Sequence, residues 1–142
     1  MRPRRPFLVA HEPNYRGSAG YVQELHRLTI RTLGSGDYDD IISGADYLIA
    51  RGWVDKDRVG AMGRSFGGFI SAWITTNSDR FKAVSVAAAP TDWTLFDAFT
   101  DIQELSRRYL AARPSSDPEI YRKSSPITNV KQAKTPTMIE RV

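Results

Sequence analysis

The run Gly63-Arg64-Ser65-Phe66-Gly67-Gly68 constrains this chain more than any other stretch, because it sets a serine among small residues where an apolar strand meets a helix. The strand side reads Arg58-Val59-Gly60-Ala61-Met62, and the helix side carries Phe69, Ile70, Ala72, Trp73 and Ile74. Glycines two residues before and after Ser65 fit the G-x-S-x-G pattern, in which the chain turns sharply and leaves the serine hydroxyl clear of backbone. Such a turn also aims backbone N–H groups and the positive end of the helix dipole at whatever the hydroxyl attacks. The residues therefore predict Ser65 as a nucleophile and the Phe66 N–H as an oxyanion donor. The pattern is short, and a glycine-rich strand-to-helix turn of any parallel α/β protein also satisfies it.

Around this turn the sequence alternates strand and helix signals. Phe7 to Ala10 reads as a short buried strand, and Tyr21 to Leu33 as a helix with Val22, Leu25 and Leu28 on one face. Tyr38 to Ala50 is a firmer helix: Tyr38, Ile41, Ile42, Ala45, Leu48 and Ile49 recur at helical spacing, Asp37 is placed to cap it, and Gly52 lies past its end. Val59 to Met62 is the strand feeding the turn, Phe66 to Thr76 the helix leaving it, and Phe81 to Ala88 a near-continuous apolar run of the kind a central parallel strand needs. After Pro90, Asp92 or Thr94 caps an amphipathic stretch carrying Leu95, Phe96, Phe99, Ile102, Leu105 and Tyr109. Pro114 to Pro118 forms a loop into a short helix, and Thr137 to Ile139 begins a last strand. The expected fold class is α/β, a mostly parallel sheet with flanking helices and right-handed crossovers, with Ser65 on the rim at the carboxyl ends of the strands.

Several further segments occur in one order with the serine turn. They are Asn14-Tyr15-Arg16-Gly17-Ser18-Ala19-Gly20-Tyr21, Gly36-Asp37-Tyr38-Asp39-Asp40, Gly52-Trp53-Val54-Asp55, Asp57-Arg58-Val59-Gly60 and, beyond the serine, Asp79-Arg80-Phe81-Lys82-Ala83. Together they resemble the prolyl oligopeptidase family of α/β-hydrolases, close to its acylaminoacyl-peptidase-like and dipeptidyl-peptidase-like branches, from about Pro13 to Ile139. The resemblance implies a partial α/β-hydrolase fold and a serine peptidase or esterase that acylates Ser65 and then hydrolyses the acyl-enzyme. It implies that Phe66 takes the place of the residue whose amide serves the oxyanion hole, and that Trp93 and Phe96 wall the substrate pocket. Ordinary core or lid packing is the simpler role for those two aromatics.

The departures from the resemblance matter as much. The family's catalytic acid and histidine lie beyond the strand that here reads Thr135-Pro136-Thr137-Met138-Ile139, and the sequence stops at Val142. The His-Gly-Gly-type loop that gives the second oxyanion donor precedes the Phe7 strand in the family, where only Met1 to Pro6 stand here. The expectation is one catalytic domain, residues 1–142, trimmed at both ends. Without the strand that carries the missing loop, either the Phe7 strand slides across to pair with Val59 to Met62 or a sheet edge is left open. An open edge recruits partners, so a homo-oligomer is expected.

Only two histidines are available to rebuild a catalytic triad. His11 follows the Phe7 strand onto the expected rim, whereas His26 falls within a helical pattern. His11 is thus the candidate base in cis, and Asp92, just past the Phe81 strand, the candidate acid, although a hydrogen-bonded rim residue and a helix cap are the simpler roles for them. Loss of a catalytic histidine costs on the order of 10⁶ in turnover. An unrepaired chain is therefore expected to act on small activated acyl esters before peptides, or to be an inactive remnant that binds acyl or peptide ligands.

Composition excludes several other classes. With 142 residues, 41% of them hydrophobic, the chain can bury roughly two-thirds of its unfolded surface as one domain. Twenty basic residues against 16 acidic ones leave a formal charge of +4, a mixed surface with no zinc, recognition-helix or aromatic single-strand motif, so no nucleic-acid partner is expected. The absence of cysteine removes disulfides and thiolate metal sites and fits a cytoplasmic location. No cofactor or metal is implied, and no apolar run approaches the ~20 residues of a membrane helix.

Overall fold

Three parallel strands carry the site. The computed structural model describes residues 8–140, and in them β1 (Gly60–Arg64), β2 (Ala83–Ala87) and β3 (Thr137–Glu140) lie side by side in that order, with Met62 opposite Ser85 and Ser85 opposite Met138. Six α-helices accompany them among the described residues: α1 (Gln23–Arg27), α2 (Gly36–Ala50), α3 (Phe66–Asn77), α4 (Trp93–Phe99), α5 (Gln103–Leu110) and α6 (Pro118–Ser124). The order β1-α3-β2 is the crossover that the apolar patterning predicts, and the α/β class stands.

The core forms where these elements cover one face of the sheet. Val84 and Val86 of β2 are buried with Phe69, Ile70 and Ile74 of α3, and Trp93, Leu110 and Tyr121 extend the cluster across α4, α5 and α6. From α2, Tyr38, Ile41 and Ile42 pack against the same cluster, in agreement with their helical spacing. On the opposite face the sheet is open: Met62 is 83% and Met138 58% exposed.

Residues 8–33 depart from expectation. Leu8 to Ala10 form no strand and are exposed, Leu8 almost completely, and Phe7 lies outside the described residues. A strand is stable only against a neighbour, and the sheet order places none beside β1 on that side among the described residues. Of the two arrangements open in the sequence, the exposed edge is the one found. The helix expected from Tyr21 to Leu33 shrinks to the five residues of α1, none of them buried, because Val22 and Leu28 meet no apolar surface and so short a helix has little intrinsic stability. The amphipathic stretch after Asp92 is two helices, not one, broken between Phe99 and Gln103. Asp37 does not cap α2; Ser35 holds the cap position, and Asp37 sits inside the first turn, wholly buried.

Candidate active site

β1 runs straight into Ser65, the residue at which the chain reverses into α3. Ser65 has φ 58° and ψ −118°, a backbone state that an L-residue adopts only under constraint. The constraint is visible on both sides: the Ser65 N–H donates to the Ala87 carbonyl of β2 at 3.0 Å, and its own carbonyl accepts the first helical bond, from the Phe69 N–H at 2.9 Å. The surrounding glycines divide the work unequally. A Cβ on Gly63 would lie 2.4 Å from the carbonyl carbon and oxygen of Gly67, and one on Gly68 would lie 2.3 Å from the Ala87 oxygen, so both must be glycine. A Cβ on Gly67 would meet nothing within 4 Å. The steric demand expected of Gly67 therefore falls on Gly68, while Gly67 supplies the backbone that passes under Gly63.

Ser65 is exposed at the carboxyl end of β1, and Phe66 is the first residue of α3. The N–H groups of a first helical turn have no partner inside the helix, and the dipole there favours negative charge. The local geometry is a strained strand-to-helix turn with Ser65 at its apex and the Phe66 N–H at the head of α3 beside it.

Phe66 is held from three sides. The Tyr15 ring stacks on it at 6.1 Å with an interplanar angle of 17°, Tyr109 of α5 leans on it at 5.7 Å, and Phe69 meets it edge-on at 5.4 Å. Tyr15 is itself fixed through its neighbour: the Arg16 guanidinium makes a two-pronged ion pair with Asp40 of α2 at 2.8 and 2.7 Å, and the Arg16 backbone N–H donates to the same carboxylate at 2.9 Å. This pairing raises the affinity of Arg16 for its proton and lowers that of Asp40. Burial pushes the Tyr15 phenol up to about 12, helped by the nearby Asp37 and Tyr109. Burial likewise pushes the Asp37 carboxyl up to about 6, against the lowering effect of the backbone N–H groups of Tyr38, Gly34 and Asp37 and of the Arg16 charge. None of Tyr15, Arg16, Asp37 and Tyr109 stands out as a site residue in the sequence; the only signal was that Tyr15-Arg16 and Asp37 to Asp40 fall in segments carrying the resemblance.

The remaining candidates each have partners of their own. The His11 imidazole lies on the middle of α2, where a Cβ on Gly44 would be 2.2 Å from its Nε2. Gly44 stands seven residues beyond Asp37, roughly 10 Å along the helix from the turn that meets Tyr15. Asp92 caps α4, with Oδ1 accepting from the N–H groups of Thr94 at 2.9 Å and Leu95 at 3.1 Å. Trp93 is completely buried, edge-on to Phe69 at 5.2 Å and to Phe96 at 5.3 Å, so its ring is core. Phe96 is half-buried and lines a shallow apolar groove with Phe99, Thr100 and Asp101. A second concavity, between α2 and residues 79–82, lies at the amino ends of the strands, away from Ser65. Among the described residues no group of three or more His, Asp or Glu side chains is placed to hold a metal ion.

Comparison with known proteins gives this arrangement a context. Residues 5–140 match the family model described as the prolyl oligopeptidase family. The acylamino-acid-releasing enzyme of Arabidopsis thaliana is 30% identical over 139 residues, covering 88% of this chain and 18% of that protein. The inactive dipeptidyl peptidase 10 of Rattus norvegicus is 31% identical over 110 residues, covering 77% of this chain and 13% of that one. The acylaminoacyl peptidase of Pyrococcus horikoshii superposes with a TM-score of 0.84 and 31% identity over 90% of this chain and 21% of that one. The chain thus spans between about an eighth and a fifth of the length of the proteins it matches.

Proposed function

The chain belongs to the prolyl oligopeptidase family, and from that premise we propose that it is the elbow-bearing part of a serine hydrolase of the acylaminoacyl-peptidase kind, working through an acyl-enzyme on Ser65. The observation that carries this reading is the backbone of Ser65, held at positive φ by flanking glycines with the head of α3 beside it. In the proposed reaction the Ser65 oxygen attacks the substrate carbonyl carbon as its proton passes to a base. The Phe66 N–H donates to the oxygen on which negative charge gathers. The leaving group departs with a proton, and water then releases the acyl group by the same steps in reverse order.

The placement of His11 on α2 and the engagement of Asp92 as the cap of α4 support the reading that neither serves Ser65 as base or acid. Where no base reaches Ser65, the penalty is on the order of 10⁶, which an activated ester with a good leaving group tolerates better than a peptide. We therefore propose small acyl esters as the first substrates of the isolated chain, and acylated peptides as the substrates of a complete site. The open edge of β1 supports self-association as a further proposal. Among the described residues no helix is long and apolar enough to cross a membrane, and the proposed cytoplasmic location rests on the cysteine-free composition.

The test is intact mass after exposure to a fluorophosphonate. A covalent adduct that is lost in Ser65→Ala and kept in His11→Ala is the expected result. A folded chain that takes no adduct selects the other reading, a ligand-binding remnant.

A further inference from the structure

Strand alternation gives the sheet two faces, and only one of them meets the core. Ala61, Val84 and Val86 point into the core, so Met62, Ser85 and Met138 point the other way, where the register sets them side by side in one row. One step further toward the elbow stands a second row on the same face, Arg64, Ala87 and Glu140. A hydrogen bond of 3.3 Å from the Ser85 hydroxyl to the Glu140 carboxylate places both side chains on this side. Met62, Met138, Arg64 and Glu140 are all exposed, and among the described residues nothing lies over them. Parallel sheets occur almost only with both faces covered. An open one bearing two methionines is a surface made to be occupied.

The charges on this face point to the occupant. The cation of the second row stands on the outer strand β1, the small Ala87 on the central strand β2, and the anion on the outer strand β3. Among the described residues Arg64 forms no ion pair, and Glu140 has only its bond to Ser85. Laying a second copy face to face on the first, about a two-fold axis along β2, keeps every strand direction and exchanges the outer strands. Each Arg64 then meets Glu140 of the second copy, and each Met62 meets Met138 of the second copy. Ser85 lies on the axis, opposite its own counterpart. A face with like charges on both outer strands would repel itself in this arrangement, whereas this one attracts itself at two points. Along β2, Ala83, Ser85 and Ala87 are small, which leaves room on the axis for four flexible methionine side chains.

We propose that this face is the contact between two copies of the chain, packed sheet on sheet about a two-fold axis along β2. The contact goes beyond the serine-hydrolase reading and does not depend on it. It also differs from strand addition at the open edge of β1, which would leave the face bare. Three strands of four or five residues span about 15 Å each way, well short of a permanent interface. The dimer is therefore weak, with a Kd on the order of 100 μM.

Sedimentation equilibrium of the parent chain between about 10 and about 500 μM should show monomer passing into dimer. Arg64→Glu sets like charges against each other at both points of contact and should weaken the dimer about tenfold or more, and Glu140→Arg should do the same. The double variant, Arg64→Glu with Glu140→Arg, restores opposite charges and should recover most of the parental affinity. Circular dichroism checks that each variant is folded. A second measurement leaves the charges alone. The chain has no cysteine, so single cysteines on the face report their neighbours through a short bis-maleimide crosslinker. Ser85→Cys should crosslink to itself, and Met62→Cys should crosslink to Met138→Cys in a mixture in preference to itself. Monomer throughout the concentration range overturns the proposal, whether the face stays bare or another segment covers it. So does a dimer that the charge reversals leave unchanged. Self-crosslinking of Met62→Cys without that of Ser85→Cys overturns it as well, since that is the pattern of two chains paired at their β1 edges.

Discussion

Two stretches that both read as strand and helix in the sequence, residues 8–33 and residues 60–87, end in opposite states. In the second, β1, α3 and β2 supply one another with partners: β1 pairs with β2, α3 covers both, and Phe69 is wholly buried between them and Trp93. In the first, Leu8, Val22 and Leu28 have the same apolar character but face solvent, and only five residues become helical. Propensity and pattern propose an element, and a neighbouring surface decides whether it forms. The 60–87 unit carries its neighbours within itself, whereas the 8–33 segment is held at separate points: Arg16 grips Asp40, Tyr15 reaches Phe66, Arg31 pairs with Asp117 and Leu33 enters the core.

The largest effect that could break this comparison lies at Gly63. Gly63→Ala puts a methyl within 2.4 Å of the Gly67 backbone, where no flexible side chain can yield. The expected outcome is a loss above ~4 kcal/mol or no folded product, seen in chemical denaturation, while Gly67→Ala, with open space around it, stays within ~1 kcal/mol of the parent. Next in size, Phe69→Ala should cost about 3–5 kcal/mol, and Leu8→Ala at its 95% exposed site less than ~0.5 kcal/mol. Equal costs for the two would mean that the stretch around Leu8 is packed in solution after all.

Asp37 gives a smaller effect with a sign set by pH. The unfolded carboxyl ionises near 3.8 and the folded one near 6, so the folded chain binds the proton more tightly and stability falls as pH rises between those values, remaining lower above them. Asp37→Asn, which cannot ionise, should therefore gain on the order of 2–3 kcal/mol relative to the parent at about pH 8 and show no such gain at about pH 4. Thermal melts at the two pH values compare them. A gain of the same size at both would place the effect in packing rather than in charge.

How far the sequence revealed the site follows the same line. Ser65, the β1-α3-β2 crossover and the helical stripe of Tyr38, Ile41 and Ile42 were legible because each depends on residues close in sequence or on a period that one surface enforces. The packing of Tyr15 and Tyr109 on Phe66 was not, because it joins segments far apart in the sequence, Tyr15 being held there by the Arg16–Asp40 pair across 24 residues. Asp37 was misread for a related reason: an acidic residue before a helix reads as a cap, and only the tertiary course of residues 15–16 over it turns that position into the interior.

The last effect separates a cap from a catalyst. Asp92 stands at the carboxyl end of the sheet, as a catalytic acid would, yet its Oδ1 is engaged by the Thr94 and Leu95 N–H groups and its neighbour Trp93 is locked into the core. Removing an N-cap side chain costs about 1 kcal/mol, because one or two backbone donors lose their acceptor while the helix otherwise survives. Asp92→Ala should thus lower stability by that amount in denaturation and leave the rate of Ser65 labelling unchanged once the folded fraction is taken into account. Asp92→Ser, which restores a capping oxygen without a carboxylate, should recover most of the lost stability. A large drop in labelling shared by both variants would instead mean that the carboxylate leaves its cap to serve Ser65, and the rim around the elbow would then be mobile where the hydrogen bonds of α4 portray it as fixed.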